Sequence, residues 1–581
     1  MSLQTLFLGA ARFVVAVVMQ VYSLALLIPG AHKLRSLAIV FMTDYRGWFV
    51  MFFVLPFSLL FDVLFAVRAF VVMKMFSAPE LHMKRVEEIA EQIRAWKAKG
   101  DGTKLCTARG GWQSISPGYR SYKASSTQIA VNLYDILGWS ADARTITVEP
   151  MVNMGQISHF LTPKGYTLPV LPEMDDLTVG GLYMGVGIET SSHKFGLFND
   201  SVVSAEVVLA SGEVVECGRD GPNKDLFDAL PWSYGTLGFL VSVTIEIVPC
   251  KPFVAVHYIP CQDKASGIAN FRRFSEENGE AVADFVEALA YSEETMVVMP
   301  AYFCNADDVA TKYKNATRNT LSWWFKPWFY KHVGWMLEDG AGDRWEIIPL
   351  RDYYHRHTKS IFWELEQIIP VGNHWLFRLL LGWAVPPKVS FLKLTQTETL
   401  RKMYEEQHVI QDMLVPIPKM SESLAVFENQ YGIYPLWVCP YRAYDYGKAG
   451  TVGGRGGAKH RCFLRQPQAN SSDELGHYEM YVDLGAYGIP RSVLQKQPFD
   501  AVASGRAVEA YVMEQRGFQM LYADSYLNKD EFYEMFDHGH YGKMKRKFDA
   551  DGAFPEVFDK TCKAGAKVWA EYQKKNKSKK Q

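Results

Sequence analysis

The stretch LPVLPEMDDLTVGGLYMGVGIETSSHKFG, residues 168–196, sets five glycines (Gly180, Gly181, Gly185, Gly187 and Gly196) among small and hydroxylated residues. Glycine lets backbone N–H groups approach an anion with no side chain in the way. A run of this length reads as chain laid along an extended phosphorylated ligand. A tight structural loop would be equally rich in glycine, so the neighbouring segments decide. A second cluster lies upstream, Cys106-Thr-Ala-Arg-Gly-Gly-Trp-Gln-Ser-Ile-Ser-Pro-Gly118. It follows a strand-like start and precedes an apolar strand predicted at 129–133. A third, Gly235-Thr-Leu-Gly238, leads into an alternating strand predicted over 239–248. The competing reading is a dinucleotide-binding G-x-G-x-x-G. Gly185-Val-Gly187 lacks the third glycine, where Thr190 stands, and no βαβ pattern surrounds it.

In this order and spacing the three clusters resemble the FAD-binding domain of the vanillyl-alcohol-oxidase (PCMH-type) flavoproteins, over residues 104–250. The family's first loop reads about R-G-G-G-H-S, and here it is Arg109-Gly-Gly-Trp-Gln-Ser114. Its second reads about T-V-G-G-x-x-x-x-G, matched by Thr178-Val-Gly-Gly181 with Gly185 or Gly187. Strands predicted at 202–209 and 213–216, around the turn Ser211-Gly212, also fit. The resemblance implies FAD contacts from Arg109, Gly110, Gly111, Trp112, Gln113 and Ser114. It implies others from Thr162, Gly165, Leu168, Pro169, Val170, Leu171, Pro172, Glu173, Met174, Asp175 and Asp176. Thr178, Val179, Gly180, Gly181, Gly185, Gly187, Ser191, Ser192, Gly235 and Gly238 complete the set. Many members tether FAD through the first-loop histidine. Gln113 stands there, so non-covalent FAD is implied, with His193 a less favoured tether.

Outside that domain the chain resembles the Δ24-sterol reductase family (24-dehydrocholesterol reductase, Diminuto in plants), from about residue 48 to about residue 565. The segments that carry this include Ser77-Ala-Pro-Glu-Leu-His, Trp324-Phe-Lys-Pro-Trp-Phe-Tyr, Tyr353-Tyr-His-Arg-His-Thr, His408-Val-Ile-Gln-Asp-Met-Leu-Val-Pro and Phe518-Gln-Met-Leu-Tyr-Ala-Asp. The implied activity is reduction of the side-chain C24=C25 double bond of a sterol, with FAD and NADPH. The plant branch leaves Δ24(28) sterols open as substrates. Sterol and membrane lipid are the implied partners, and a homodimer is one option for the assembly. An FAD oxidase or dehydrogenase of an alcohol or hydroxy acid is the rival enzyme class. A catalytically silent sterol-binding scaffold is the non-enzyme alternative.

Composition bounds these readings. The 581 residues carry a net charge of −1, which speaks against nucleic acid as the main partner. None of the eight cysteines forms C-x-x-C, so neither a zinc nor a redox pair is expected, and the thiols read as reduced. Two apolar runs, at 13–29 and 48–61, stand near the N-terminus, the second extendable to 65 if Asp62 lies at an interface. A bilayer span needs about 20 residues. The second run is read as a span, and the first as a second span, an interfacial anchor or a signal-like segment. Residues 577–581, KSKKQ, resemble a dilysine retrieval signal. The endoplasmic reticulum membrane, with the Golgi as a second station, is therefore expected, and the catalytic body faces the cytosol.

The expected architecture is α+β, in five parts. Residues 1–76 form a membrane anchor of one or two helices, and 77–103 an amphipathic linker helix capped by a Ser77–Glu80 capping box. Residues 104–250 form the PCMH-type FAD-binding domain of two α/β subdomains, and 251–500 an α+β substrate (cap) domain. Residues 501–581 pack back near the flavin and end in a basic disordered tail. Three candidates for chemistry lie outside the loops. Tyr353-Tyr-His-Arg-His357 could sit on a strand as a phosphate-recognising or hydrogen-bonded cluster, and no metal is expected there. Tyr522 and Asp524 would share a strand face as a proton-donating pair, with His193 next in line. The aromatic run 322–330 is read equally as sterol pocket, lipid contact or core. The glycine-rich 447–457 reads as a surface insertion.

Overall fold

In the computed structural model the described residues run from 77 to 580, apart from 111–112, 114–120, 277–281, 339–341, most of 387–403, 445–462, 466, 469–470 and 474–475. Before 77 only isolated positions between 48 and 67 are described, so the expected anchor and the 447–457 insertion lie outside the described residues. Among the described residues no helix is long and apolar enough to cross a membrane.

The linker helix is present as α1, His82–Lys99, with Val86, Ile89, Ala90 and Ile93 on its buried face. It stops where Gly100 takes a left-handed φ of 62°. The capping box is not formed. A short 3-10 turn, Pro79–Leu81, precedes the helix without a side-chain cap. The Ala78 N–H donates instead to Asp135 Oδ2 at 3.1 Å, and Arg85 closes on the same oxygen at 2.6 Å. A carboxylate distant in sequence thus does the capping, which no local pattern announces.

His82 sits beside two carboxylates, Glu149 at 2.8 Å and Glu206 at 3.8 Å. The hydrogen bond to Glu149, then Glu206, raises its pKa from 6.5 to about 9. A cation favoured by the fold stabilises fully below the unfolded pKa, and the contribution disappears as pH rises through the folded one. The melting temperature should therefore fall between about pH 6.5 and 9. Replacing His82 by Gln should flatten that slope in a melting series across the same range.

The strands Lys104–Thr107 and Ser126–Ile129 pair in parallel. The apolar strand expected at 129–133 ends at Ile129, because the backbone beyond turns to other partners: the Leu133 carbonyl accepts from Met151 N–H at 3.0 Å. A five-strand antiparallel sheet follows, in the order Ile136–Ser140, Thr145–Val148, Phe239–Glu246, Val202–Val208, Val214–Gly218.

A second, ten-strand sheet carries the rest of the chain. Its path runs Thr317–Arg318, Arg344–Pro349, Phe253–Cys261, Met296–Cys304, Phe285–Ala290, Leu436–Tyr444, Gly476–Gly488, Val409–Pro416, Phe518–Gln519, with Ser471–Asp473 pairing off Gly476–Gly488. The central strands are buried on both faces, which fits their near-continuous apolar sequence. The C-terminal segment contributes Phe518–Gln519 and the helix Ala501–Glu514.

The two sheets meet through the glycine-rich region. The Val286 N–H donates to the Thr190 carbonyl at 2.9 Å, and the Tyr444 hydroxyl to the Lys194 carbonyl at 3.1 Å. Trp232 meets Phe518 edge-on with ring centres 5.8 Å apart.

Candidate active site

The cofactor side is built from the three glycine loops. The second passes through a short helix, α2, Val179–Met184. Arg109 Nη1 donates to Thr178 Oγ1 at 3.2 Å, and Nη2 to the Gln113 carbonyl at 3.0 Å. These acceptors are neutral, and burial pulls the guanidinium below its usual pKa. A cation held this way suits an anionic guest. The Gln113 side chain folds back to accept from Gly110 N–H at 3.2 Å. Gly111, Trp112 and Ser114 lie outside the described residues.

Each glycine of the second loop has its own reason. A Cβ on Gly180 would stand 2.9 Å from Pro150 Cβ, and one on Gly185 would stand 2.4 Å from the Gly181 carbonyl. One on Gly187 would meet Leu182 at 2.8 Å. These three are demanded by packing. Gly181 is exposed, and a Cβ there would meet only Thr178 Oγ1, at 3.2 Å. Its exposed side lies next to Thr178, whose hydroxyl Arg109 also reaches. This bare backbone next to an arginine fits a pyrophosphate, so Arg109, Thr178, Gly180 and Gly181 would hold that part of FAD.

The third loop is stitched to the second. The Tyr234 N–H donates to the Met184 carbonyl at 2.7 Å, and Trp232, Tyr234 and Gly235 all take left-handed φ, at 63°, 51° and 69°. Gly238 is a packing glycine, since a Cβ would lie 2.4 Å from Val207.

Other expected contact residues have internal duties. The Thr162 hydroxyl donates to the Ser158 carbonyl at 2.6 Å, and Gly165 makes a left-handed turn at φ 79°. Ser191 donates to the Pro169 carbonyl at 2.7 Å, while Ser192 Oγ accepts from Glu189 N–H at 3.0 Å. Leu168, Pro169, Val170, Leu171 and Pro172 are buried, and Val179 belongs to the same core. Met174 is half-buried and Asp176 exposed. Asp175 lies 3.2 Å from His355.

His193 is fully buried, with one ring nitrogen 3.0 Å from the Thr190 carbonyl and the other 2.9 Å from that of Ala283. Burial depresses its pKa to about 3. The neutral ring has one N–H and donates to one of the two carbonyls; fully buried between the loop and the second sheet, His193 is placed neither to tether flavin nor to deliver a proton.

The Tyr522–Asp524 pair is not made either. The strand ends at Gln519 and the chain turns, so the two side chains separate. Tyr522 hydrogen-bonds Asp412. Asp524 answers to His408 instead, and burial lifts its carboxyl to about 6.

What Tyr522 meets was not anticipated. Asp412 and Asp483 come from paired strands, Val409–Pro416 and Gly476–Gly488, and project from the same face of the sheet. Both are fully buried. Tyr487 donates to Asp412 at 2.5 Å, and Gly485 leaves room for that bond, because a Cβ there would stand 2.5 Å from the Tyr487 hydroxyl. Burial raises the pKa of Asp412 to about 7, and burial plus the neighbouring Asp412 raises that of Asp483 well above the carboxylate range. The face therefore holds protonated acid at neutral pH. An aspartate interrupting the apolar alternation of VIQDMLVP and of YVDLGAY was the available signal.

A second buried cluster adjoins it. The helix Leu350–Tyr354 ends just before His355, so Tyr353-Tyr-His-Arg-His357 is not on a strand. Arg356 binds Glu287 at 2.6 Å and Glu189 at 3.2 Å, and Glu287 also takes His357 at 3.1 Å and Trp437 Nε1 at 2.9 Å. Glu287 is held well below its usual range by Arg356 and His357 against the penalty of burial. Glu173 has both carboxyl oxygens buried without a partner, and burial raises its pKa strongly. The cluster is a hydrogen-bonded structural one. No group of residues that could hold a metal ion occurs among the described residues.

Comparison with known proteins bears on the cofactor side and on the family of the whole chain. The family description "FAD binding domain" matches residues 81–218. Over 531 residues the chain is 46% identical to Delta(24)-sterol reductase of Macaca fascicularis, covering 91% of this chain and 96% of the relative. It is 45% identical to that of Homo sapiens, with the same coverage. It is 40% identical over 533 residues to the Delta(24)-sterol reductase homolog of Caenorhabditis elegans, covering 90% of this chain and 96% of the relative. With identity this high over nearly the full length of each relative, the chain belongs to the Δ24-sterol reductase family.

Proposed function

We propose that this protein reduces the side-chain C24=C25 double bond of a sterol, with FAD as cofactor and NADPH as the source of electrons. The observation that carries the mechanism is the buried acid face beside the glycine loops, where Asp412 meets the hydroxyls of both Tyr522 and Tyr487 and Asp483 lies on the same face. Bound FAD would supply hydride-transfer chemistry. Reduction of an alkene also needs one proton, and an isolated double bond is too weakly polarised to accept hydride unaided. Tyr522 Oη would give that proton to the alkene carbon that does not receive the hydride. Burial makes its phenol an even weaker acid than usual, so a free phenolate is a poor product. Asp412 answers this by returning a proton to Tyr522 as the first one leaves. The dry, aromatic surroundings, including Trp437 and Tyr441, keep water from competing.

The direct test is product analysis of membranes expressing the chain, fed desmosterol and NADPH. Cholesterol should form. Oxygen-dependent release of hydrogen peroxide on an alcohol substrate would instead support an oxidase. Because Gln113 carries an amide where a tether would need an imidazole, FAD should leave the polypeptide on acid precipitation. Flavin fluorescence that stays with the denatured chain in a gel would contradict this.

The proposed location is the endoplasmic reticulum membrane, with the body facing the cytosol. The sequons Asn199-Asp-Ser, Asn315-Ala-Thr, Asn470-Ser-Ser and Asn576-Lys-Ser differ in value as reporters. Asn199 is buried in the folded chain, and Asn470 lies outside the described residues. Asn315 is exposed and reports orientation. It should remain unmodified, and a glycosidase-sensitive mobility shift that disappears in Asn315→Gln would place the body in the lumen.

A further inference from the structure

The aromatic run 322–330 divides in two. Trp328, Phe329 and Tyr330 are core, whereas Trp323, Trp324 and Phe325 lie at the surface. They do not stand alone. The helix α3, Trp375–Leu381, buries Phe377 and turns Trp375, Leu376, Leu379 and Leu380 outward, with Trp383 just beyond. Trp375 is 62% exposed, Leu380 59%, Trp383 56% and Trp323 53%. A surface helix in water normally shows polar residues at such positions.

The two segments form one surface. Trp324 Nε1 donates to the Leu379 carbonyl at 3.3 Å, and a Cβ on Gly382 would stand 2.5 Å from the Trp324 carbonyl. Trp383 Nε1 donates to the Leu380 carbonyl at 2.8 Å. The indole N–H groups of Trp324 and Trp383 are thus satisfied by protein while the rings face outward. Beneath them Lys359 donates to the carbonyls of Leu321 at 2.8 Å and Trp323 at 2.7 Å, so the loop is held in place.

Charge identifies the occupant. Lys326 and Arg378 lie on these two segments, while Lys331 pairs with Glu366 at 2.7 Å and Asp352 accepts the Ser322 N–H at 2.9 Å, so cations are in excess but carboxylates are present. Exposed indoles and leucines flanked by Lys326 and Arg378 match the boundary between headgroups and acyl chains of an anionic leaflet.

The surface also stands at the mouth of an open cavity of about 270 Å³. Leu321, Pro327, Phe329, Val385 and Pro386 give it an apolar side, and Asp175, Arg351, Asp352, His355, Arg356 and Lys359 a charged one. It therefore leads from the exposed aromatics to the loop that would carry FAD.

We propose that Trp323–Phe325, the outer face of α3 and Trp383 dip into the interface of an anionic bilayer, separately from any N-terminal span. Resting on the sterol-reductase reading, the adjoining cavity is the door through which a membrane-dissolved sterol enters.

The test uses the full chain reconstituted in vesicles of phosphatidylcholine and phosphatidylserine that contain a phospholipid with a photoactivatable acyl chain. After illumination, peptides spanning 321–326 and 371–383 should carry lipid adducts. In the combined variant Trp375→Glu, Leu379→Glu, Leu380→Glu, whose altered side chains point outward, the adducts there should fall about tenfold or more. Flavin content and melting temperature report that the variant is folded. Absence of adducts at both peptides in the wild-type chain, with labelling confined to the N-terminal region, would overturn the proposal. So would cross-links joining these peptides between two copies, which would assign the surface to a dimer. Labelling needs no turnover, so adducts here in a protein that reduces no sterol would separate this inference from the proposed activity.

Discussion

Gly181→Glu is expected to yield a folded protein that retains no FAD. The reason lies in the contrast with its neighbour. A Cβ at Gly180 collides with Pro150, whereas one at Gly181, which is exposed, meets only Thr178 Oγ1 at 3.2 Å. The new carboxylate would lie beside the Arg109 guanidinium, which already reaches Thr178. It would pair with that cation and repel a pyrophosphate from the same place. Purified Gly181→Glu should therefore lack flavin absorbance while its circular dichroism and melting transition stay close to wild type. Gly180→Ala should lose flavin and melting temperature together. Full flavin occupancy in Gly181→Glu would mean that the pyrophosphate does not lie against this backbone.

Tyr522→Phe is expected to slow sterol-dependent reoxidation of the reduced enzyme by about 100-fold or more, the scale of a lost general acid. NADPH-dependent flavin reduction should keep its wild-type rate, because no proton to carbon is needed in that half. The substitution removes a hydroxyl and nearly preserves shape, so packing is spared. Asp412→Asn should slow the same half-reaction and also abolish its fall at alkaline pH, since the acid with a pKa near 7 is then gone. Rapid-mixing absorbance of the flavin follows both halves separately. Wild-type reoxidation in Tyr522→Phe, with loss in Asp412→Asn, would transfer the donor role to Asp412 itself.

Local sequence carried the cofactor side of this protein. Glycine is the residue type that tolerates left-handed backbone and close approach, so the second loop, Gly165 and Gly235 were legible without coordinates. The helix of 82–99 was legible for a similar reason: its period and its terminal Gly100 are properties of consecutive residues. Strands expected at 202–209 and 213–216 from the family resemblance are present as Val202–Val208 and Val214–Gly218. The capping of that helix was not legible, because Asp135 supplies it from another element.

The acid side was decided by tertiary structure. Asp412 and Asp483 are 71 positions apart, and only the antiparallel register of Val409–Pro416 with Gly476–Gly488 sets them on one face. Tyr522 and Asp524 looked like partners because residues two apart share a face in a strand, but the strand stops at Gln519 and the turn sends them to different neighbours. His193 looked reactive beside a glycine loop until the fold buried it between the carbonyls of Thr190 and Ala283. Sequence determined which segments may approach a phosphorylated cofactor, since that depends on side chains being absent at known positions. Which ionisable groups are buried together, and hence which of them hold a proton at neutral pH, depends on desolvation by distant elements and was settled only by the packing of the two sheets.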